Sequence, residues 1–123
     1  MGSLPCLRRP ALAAMVLSLS VSSLGVERPL EEVVEESYAF AVQQYGGMLR
    51  ALEGETRLPR TVDKGGLVLV GPRDWTSGFF PGSLWRIAEH TGDAQWRKAA
   101  ADLTARVEPA KTYGGTHDLG FIL

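Results

Sequence analysis

From Leu30 to Leu52 the apolar residues recur at intervals of three and four: Leu30, Val33, Val34, Tyr38, Ala41, Val42, Tyr45, Met48, Leu49 and Leu52. That spacing predicts one amphipathic helix. Pro29 suits its first turn, where a missing N–H costs nothing. Glu31 and Glu32 near the start and Arg50 near the end match the helix dipole. Gly46 and Gly47 weaken the stripe by up to about 1 kcal/mol each and mark either a kink or a close helix contact. Gly54 is the expected end. Residues 56–74 lose the period: Pro59, Gly65, Gly66, Gly71 and Pro72 surround the β-prone run Leu67, Val68, Leu69, Val70. A loop or small hairpin fits there.

Helical spacing returns near Pro81 or Ser83, through Leu84, Trp85, Ile87 and Ala88, and stops at Gly92. Asp93 is placed to cap a third helix carrying Trp96, Ala99, Ala100, Leu103 and Val107. The two form a tight αα-hairpin around Thr91, Gly92 and Asp93. Pro109 halts the third helix. After Gly114 and Gly115, Thr116 reads as the cap of a fourth helix that begins at His117 and Asp118. Phe121, Ile122 and Leu123 are apolar and need burial against something, and so short a helix is marginal alone. The expectation is an N-terminal portion of a larger domain rather than a finished one.

The first residues follow another layout. Arg8 and Arg9 precede an apolar run from Ala11 to Val21, and the small residues Ser22, Ser23 and Gly25 follow. This is the pattern of a secretory signal peptide over residues 1–25, with cleavage after Gly25. The run is too short for a comfortable membrane span, which needs about 20 residues. Export to the periplasm or the medium is expected, with no membrane association after cleavage. Cys6, the single cysteine, leaves with the signal, so residues 26–123 hold no disulfide and no thiolate nucleophile. Lys plus Arg number 13 against 14 Asp plus Glu, a net charge of −1. Nucleic acid is excluded as a partner, because it requires a clustered basic face.

Chemistry concentrates at two helix entrances. Arg73, Asp74, Trp75, Thr76, Ser77, Gly78, Phe79 and Phe80 combine aromatics with a glycine; Gly114, Gly115, Thr116, His117 and Asp118 form a second glycine-flanked entrance. In a bundle of helical hairpins both entrances fall at one end. An aromatic face, an imidazole and a carboxylate are what a sugar site needs: the ring stacks, and the polar groups fix hydroxyls. Plain structural readings stand beside this one. Trp75 as a core residue, Asp118 as a charge complementing a helix dipole, and His117 bonded to a backbone carbonyl are each consistent with the residue types. His90, late in a helix, reads as structural. There is no CxxC, HExxH or acidic metal loop, and no phosphate-cradling glycine motif, so no metal or other cofactor is implied.

The run Asp74 to Trp85 (DWTSGFFPGSLW), followed by Thr116 to Phe121 (THDLGF), resembles the two N-terminal signatures of glycoside hydrolase family 88, the unsaturated glucuronyl hydrolases. The Thr91–Gly92–Asp93 turn with Trp96 behind it and the run Pro59, Arg60, Thr61 are similar too. The resemblance implies an all-α fold, part of an (α/α)6 barrel of six helical hairpins, with residues 26–123 as an incomplete N-terminal portion of the catalytic domain. It implies as substrate an oligosaccharide left by polysaccharide lyases and ending in a 4,5-unsaturated uronic acid. A carboxylic acid protonates the enol-ether double bond, water adds, and the hydrated sugar rearranges to expel the leaving group, unlike the usual two-carboxylate scheme. Carried over residue by residue, Asp118 matches an essential catalytic aspartate, and Trp75 and His117 match positions lining the substrate pocket. The family's second aspartate, the acid/base, has no match in this sequence. Two other readings stay open: an inactive fragment, and an exported helical-hairpin module that binds a partner without chemistry.

Overall fold

The computed structural model describes residues 27–123. The expected signal peptide and Cys6 lie outside the described residues. The elements run α1 (Leu30–Ala51), β1 (Leu58–Asp63), β2 (Gly66–Val70), α2 (Phe79–Thr91), α3 (Ala94–Val107) and α4 (Leu119–Ile122), with a 3-10 turn at Glu108–Ala110 after α3. The described residues are mostly helical, with one small antiparallel hairpin. Among them no helix is long and apolar enough to cross a membrane.

The α2–α3 hairpin organises the core. Gly92 ends α2 in the left-handed region (φ 69°), where a side chain would be strained. The next residue, Asp93, caps α3 by accepting the Gln95 N–H at 2.7 Å. Leu84 of α2 and Ala100, Leu103 and Val107 of α3 are buried together with Leu52, Leu58, Phe80, Ala110 and Ile122. Each large side chain withdrawn there contributes about 1.5–3 kcal/mol. Outside this cluster the Trp85 indole N–H donates to Thr104 Oγ1 at 3.0 Å and ties the two helices at their surface.

The first helix forms as its periodicity predicts, yet none of its residues is fully buried. Tyr45, Met48 and Leu49 pack on the core, and Tyr45 stacks on Phe80 with ring centroids 5.2 Å apart. Earlier in the stripe Leu30, Val33 and Val34 are exposed. The helix is continuous through Gly46 and Gly47. A Cβ on Gly46 would meet Trp96 at 3.8 Å, an ordinary van der Waals contact, so this glycine faces Trp96 and neither breaks the helix nor is required by the packing. His90 has the structural role expected of it: its ring stacks on Tyr38 at 3.7 Å, and its Nε2 lies 3.2 Å from Glu35 Oε2.

Residues 56–74 contain the hairpin that the pattern allowed. Lys64 and Gly65 turn it with φ of 46° and 80°, the positive values that a two-residue hairpin turn requires. A bulge falls between Pro59 and Thr61.

Two boundaries and one burial differ from expectation. The second helix starts at Phe79, ahead of Pro81. Proline is tolerated throughout the first turn because no N–H there has an intrahelical acceptor, so it does not mark the first residue. The fourth helix starts at Leu119, not His117, and Thr116 does not cap it. The Thr116 hydroxyl oxygen instead accepts the Asp118 N–H at 3.0 Å, which closes a turn before the helix. Finally, Ile122 is buried against upstream residues of the same chain, while Phe121 and Leu123 are exposed. The apolar tail thus finds part of its burial within the described residues.

Candidate active site

Residues 71–78 enter α2 through successive turns. The Asp74 N–H donates to Gly71 O at 3.2 Å, Ser77 N–H to Asp74 O at 3.0 Å and Phe79 N–H to Thr76 O at 3.1 Å. Asp74 holds this segment. Its Oδ1 accepts the Thr76 N–H at 2.9 Å and the Thr76 hydroxyl at 2.6 Å, and its Oδ2 accepts from Arg60 at 3.1 Å. Partial burial pushes the carboxyl pKa up, but the Thr76 bonds and the Arg60 charge outweigh it and hold Asp74 below the usual carboxylate value. The Asp74 carboxylate is therefore occupied in holding this segment together. Ser77 is fully buried, and its hydroxyl donates to Pro72 O at 2.9 Å. With Asp74 and Ser77 occupied in this way, Trp75 is left at the surface.

The second entrance is built on a smaller turn. Tyr113 N–H donates to Ala110 O at 2.8 Å, and Phe121 N–H to Asp118 O at 2.9 Å. Asp118 occupies the N-cap position of α4, but its side chain makes no capping bond. The carboxyl instead faces its neighbour: Asp118 Oδ1 lies 3.2 Å from His117 Nε2. The His117 side chain is 95% exposed and that of Asp118 is 29% exposed.

The tertiary fold brings the two entrances into contact. A Cβ on Gly78 would stand 2.5 Å from the Phe121 carbonyl oxygen, and closer still to that of Ile122. Only glycine lets the α4 backbone approach the start of α2 so nearly. Beside this contact Trp75, Phe79 and Phe121 form one aromatic group. Trp75 meets Phe79 edge-on at 5.9 Å and Phe121 at 6.4 Å, and Phe79 lies 6.2 Å from Phe121. They are 46%, 50% and 55% exposed respectively. A second bridge crosses between the segments where the Arg73 guanidinium lies 4.8 Å above the Tyr113 ring.

Trp75 is consequently not a core residue. The carboxylate of Asp118 is not engaged in capping, and its partner is the imidazole of His117. Phe79 and Phe121 as members of one exposed aromatic group, and Tyr113 as a bridge, were not singled out in the sequence. The signal was present in the glycine beside each, but pairing them needed the fold. The arrangement is an open aromatic face with an imidazole–carboxyl pair in the adjoining turn. A groove of about 440 Å³ lies next to it, lined by Pro81, Trp85, Val107, Phe121, Ile122 and Leu123 among others; Trp75, His117 and Asp118 are not part of its wall. Among the described residues no three His, Cys, Asp or Glu side chains gather as a metal site would need.

Comparison with known proteins bears on this surface. The chain is 32% identical to an unsaturated glucuronyl hydrolase of Formosa agariphila over 120 positions, covering 89% of this chain and 30% of that protein. It is 39% identical to an unsaturated glucuronyl hydrolase of Bacillus sp. (strain GL1) over 59 positions, covering 45% of this chain and 15% of that protein. No family profile matches the chain, and no solved structure matches it significantly. The resemblance to unsaturated glucuronyl hydrolases therefore holds over most of the chain, and the chain spans less than a third of the length of these relatives.

Proposed function

We propose that this chain supplies the Trp75 and His117–Asp118 portion of a glycosidase site that releases a terminal 4,5-unsaturated uronic acid from oligosaccharides. The observation that carries the reading is the contact between the two entrances. Gly78 packs on the backbone of Phe121 and Ile122, and this puts Trp75 against Phe121, one helical turn from Asp118. A stacking face and an imidazole–carboxyl pair then serve one sugar ring. The relatives' names support the same substrate class.

In this reading Trp75 stacks on the unsaturated ring, and His117 orients the Asp118 carboxyl and a ring hydroxyl. Asp118 is the catalytic carboxyl in contact with the reacting sugar. A proton adds to one carbon of the enol-ether double bond, and water adds to the cation left at the other and releases its own proton. The resulting hemiketal opens, and the leaving sugar departs as an alcohol. The site belongs to an (α/α)6 barrel exported from the cell, of which residues 26–123 form the first part.

Turnover is followed as loss of the ultraviolet absorbance of the unsaturated uronate. In the protein containing this segment, Asp118→Asn is expected to lower kcat by roughly 10²–10³, the range for removing one preorganised electrostatic contact to the reacting group. Undiminished turnover would remove Asp118 from the chemistry. The chain by itself is expected to bind an unsaturated uronyl disaccharide without turning it over. Failure of Trp75→Ala to weaken that binding would favour a module that docks some other partner.

A further inference from the structure

We infer that Arg73, laid on the ring of Tyr113, is a binding residue for an anionic group of the sugar ligand, a carboxylate or a sulfate. The inference rests on the proposed sugar site and adds to it a cationic contact.

The placement comes from how the two segments meet. Two contacts between them bear on Arg73. One is the contact of Trp75 and Gly78 with Phe121 and Ile122. The other is Arg73 over Tyr113. His117 and Asp118 stand in the chain between Tyr113 and Phe121, the residues that make these two contacts. Trp75 and Arg73 thus share one segment, and Asp118 and Tyr113 the other, so the guanidinium stands on the same pair of segments as the proposed sugar site.

The guanidinium is held without being used up. A cation over an aromatic face is attracted through its plane, and this leaves its in-plane N–H donors free. Those donors match the two oxygens of a carboxylate or sulfate. Arg73 is exposed, and among the described residues no carboxylate pairs with it. The nearby Arg60 is different: its charge is taken by Asp74 at 3.1 Å. Of the two arginines beside Trp75, Arg73 is the one left to meet a ligand.

The Tyr113 ring is itself fixed. A Cβ on Gly115 would sit 2.6 Å from its Cε2, Cζ and hydroxyl oxygen. Only glycine at 115 leaves the ring this room, while Arg73 covers its face. Holding the arginine in place beforehand reduces the side-chain entropy lost on binding, which for such a side chain is about 0.5–1.5 kcal/mol. Tyr113 is in this sense a positioning residue for Arg73.

The test titrates the full chain with three probes: a 4,5-unsaturated uronyl disaccharide, the same disaccharide as its methyl ester, and a sulfated form of the methyl ester. Binding is read by calorimetry or amide chemical shifts. Arg73→Gln is expected to weaken binding of the charged probes about tenfold, the worth of one charge-assisted hydrogen bond. The uncharged ester should bind the variant and the wild type alike. Loss confined to the free acid identifies a carboxylate, and loss confined to the sulfated ester identifies a sulfate; either supports the assignment. Arg73→Lys keeps the charge without the planar fork and should fall between the two, with a thermal melt matching the wild type. Equal loss for charged and neutral probes would overturn the assignment and leave Arg73 as a brace between the two segments. Unchanged affinity of Arg73→Gln for every probe would overturn it as well. Absence of binding by the wild-type chain would instead defeat the sugar-site reading on which it depends.

Discussion

The α2–α3 hairpin and the meeting point of residues 71–79 with residues 113–123 are both rich in large apolar side chains, and they use them oppositely. In the hairpin Leu84, Ala100, Leu103 and Val107 are buried. At the meeting point Trp75, Phe79 and Phe121 touch one another and still remain about half exposed. The first arrangement follows from the hydrophobic effect acting on the chain alone. The second leaves apolar area in water that folding has not removed, and the proposed sugar site rests on that patch. What holds the patch together is not its aromatic rings but backbone approach at Gly78, with Ile122 as the buried anchor beneath it.

Substitutions in the two regions should separate these roles. The largest stability loss is expected for Leu84→Ala, about 2–5 kcal/mol, since a fully buried leucine is removed from a packed site. Denaturant unfolding monitored by circular dichroism measures it; a loss under 1 kcal/mol would mean that the hairpin core is looser than its burial indicates. Gly78→Ala should cost about 1–3 kcal/mol by overpacking. Because the added methyl meets backbone atoms, α4 must shift away, so amide signals of residues 119–123 should move while those of α3 stay in place. If they do not move, the two entrances are not joined through Gly78.

A smaller effect is expected from acid. The Asp74 carboxyl is held below its ordinary value, so its contribution to stability is present above the unfolded-chain pKa of about 3.9 and is lost as pH falls through the lower folded value. Asp74→Asn should therefore be less stable than the wild type near neutral pH, and the gap should close below about pH 4. A gap independent of pH would assign the role of Asp74 to hydrogen-bond geometry alone. The smallest stability change is expected for Trp75→Ala, within about 1 kcal/mol, because the ring is half exposed. The same substitution should weaken sugar binding several-fold. A large destabilisation with unchanged binding would return Trp75 to a structural role and erase the contrast between the regions.

Much of the fold was legible residue by residue. The period from Leu30 to Leu52 marked α1, and Gly92 and Asp93 marked the α2–α3 turn, because each depends on local backbone preferences; for residues 56–74 the pattern left a loop and a small hairpin equally open. Boundaries failed where a residue tolerates several positions, as Pro81 does in the first turn of α2. Thr116 misled for a related reason: its hydroxyl serves a turn as readily as a helix cap.

By itself the sequence determined the mostly helical class and the order of the helices, since periodicity is written locally; Trp75, His117 and Asp118 came forward as candidates through the resemblance of their two segments to family signatures. It could not decide which apolar residues are core and which are surface. Leu84 and Phe121 look alike as letters, and only packing buries the first and leaves the second in water. Nor could it join Gly78 to Ile122 or Arg73 to Tyr113. Those contacts bring distant parts of the chain together, and their energies exist only once the chain entropy of bringing them together has been overcome by the core they help to close.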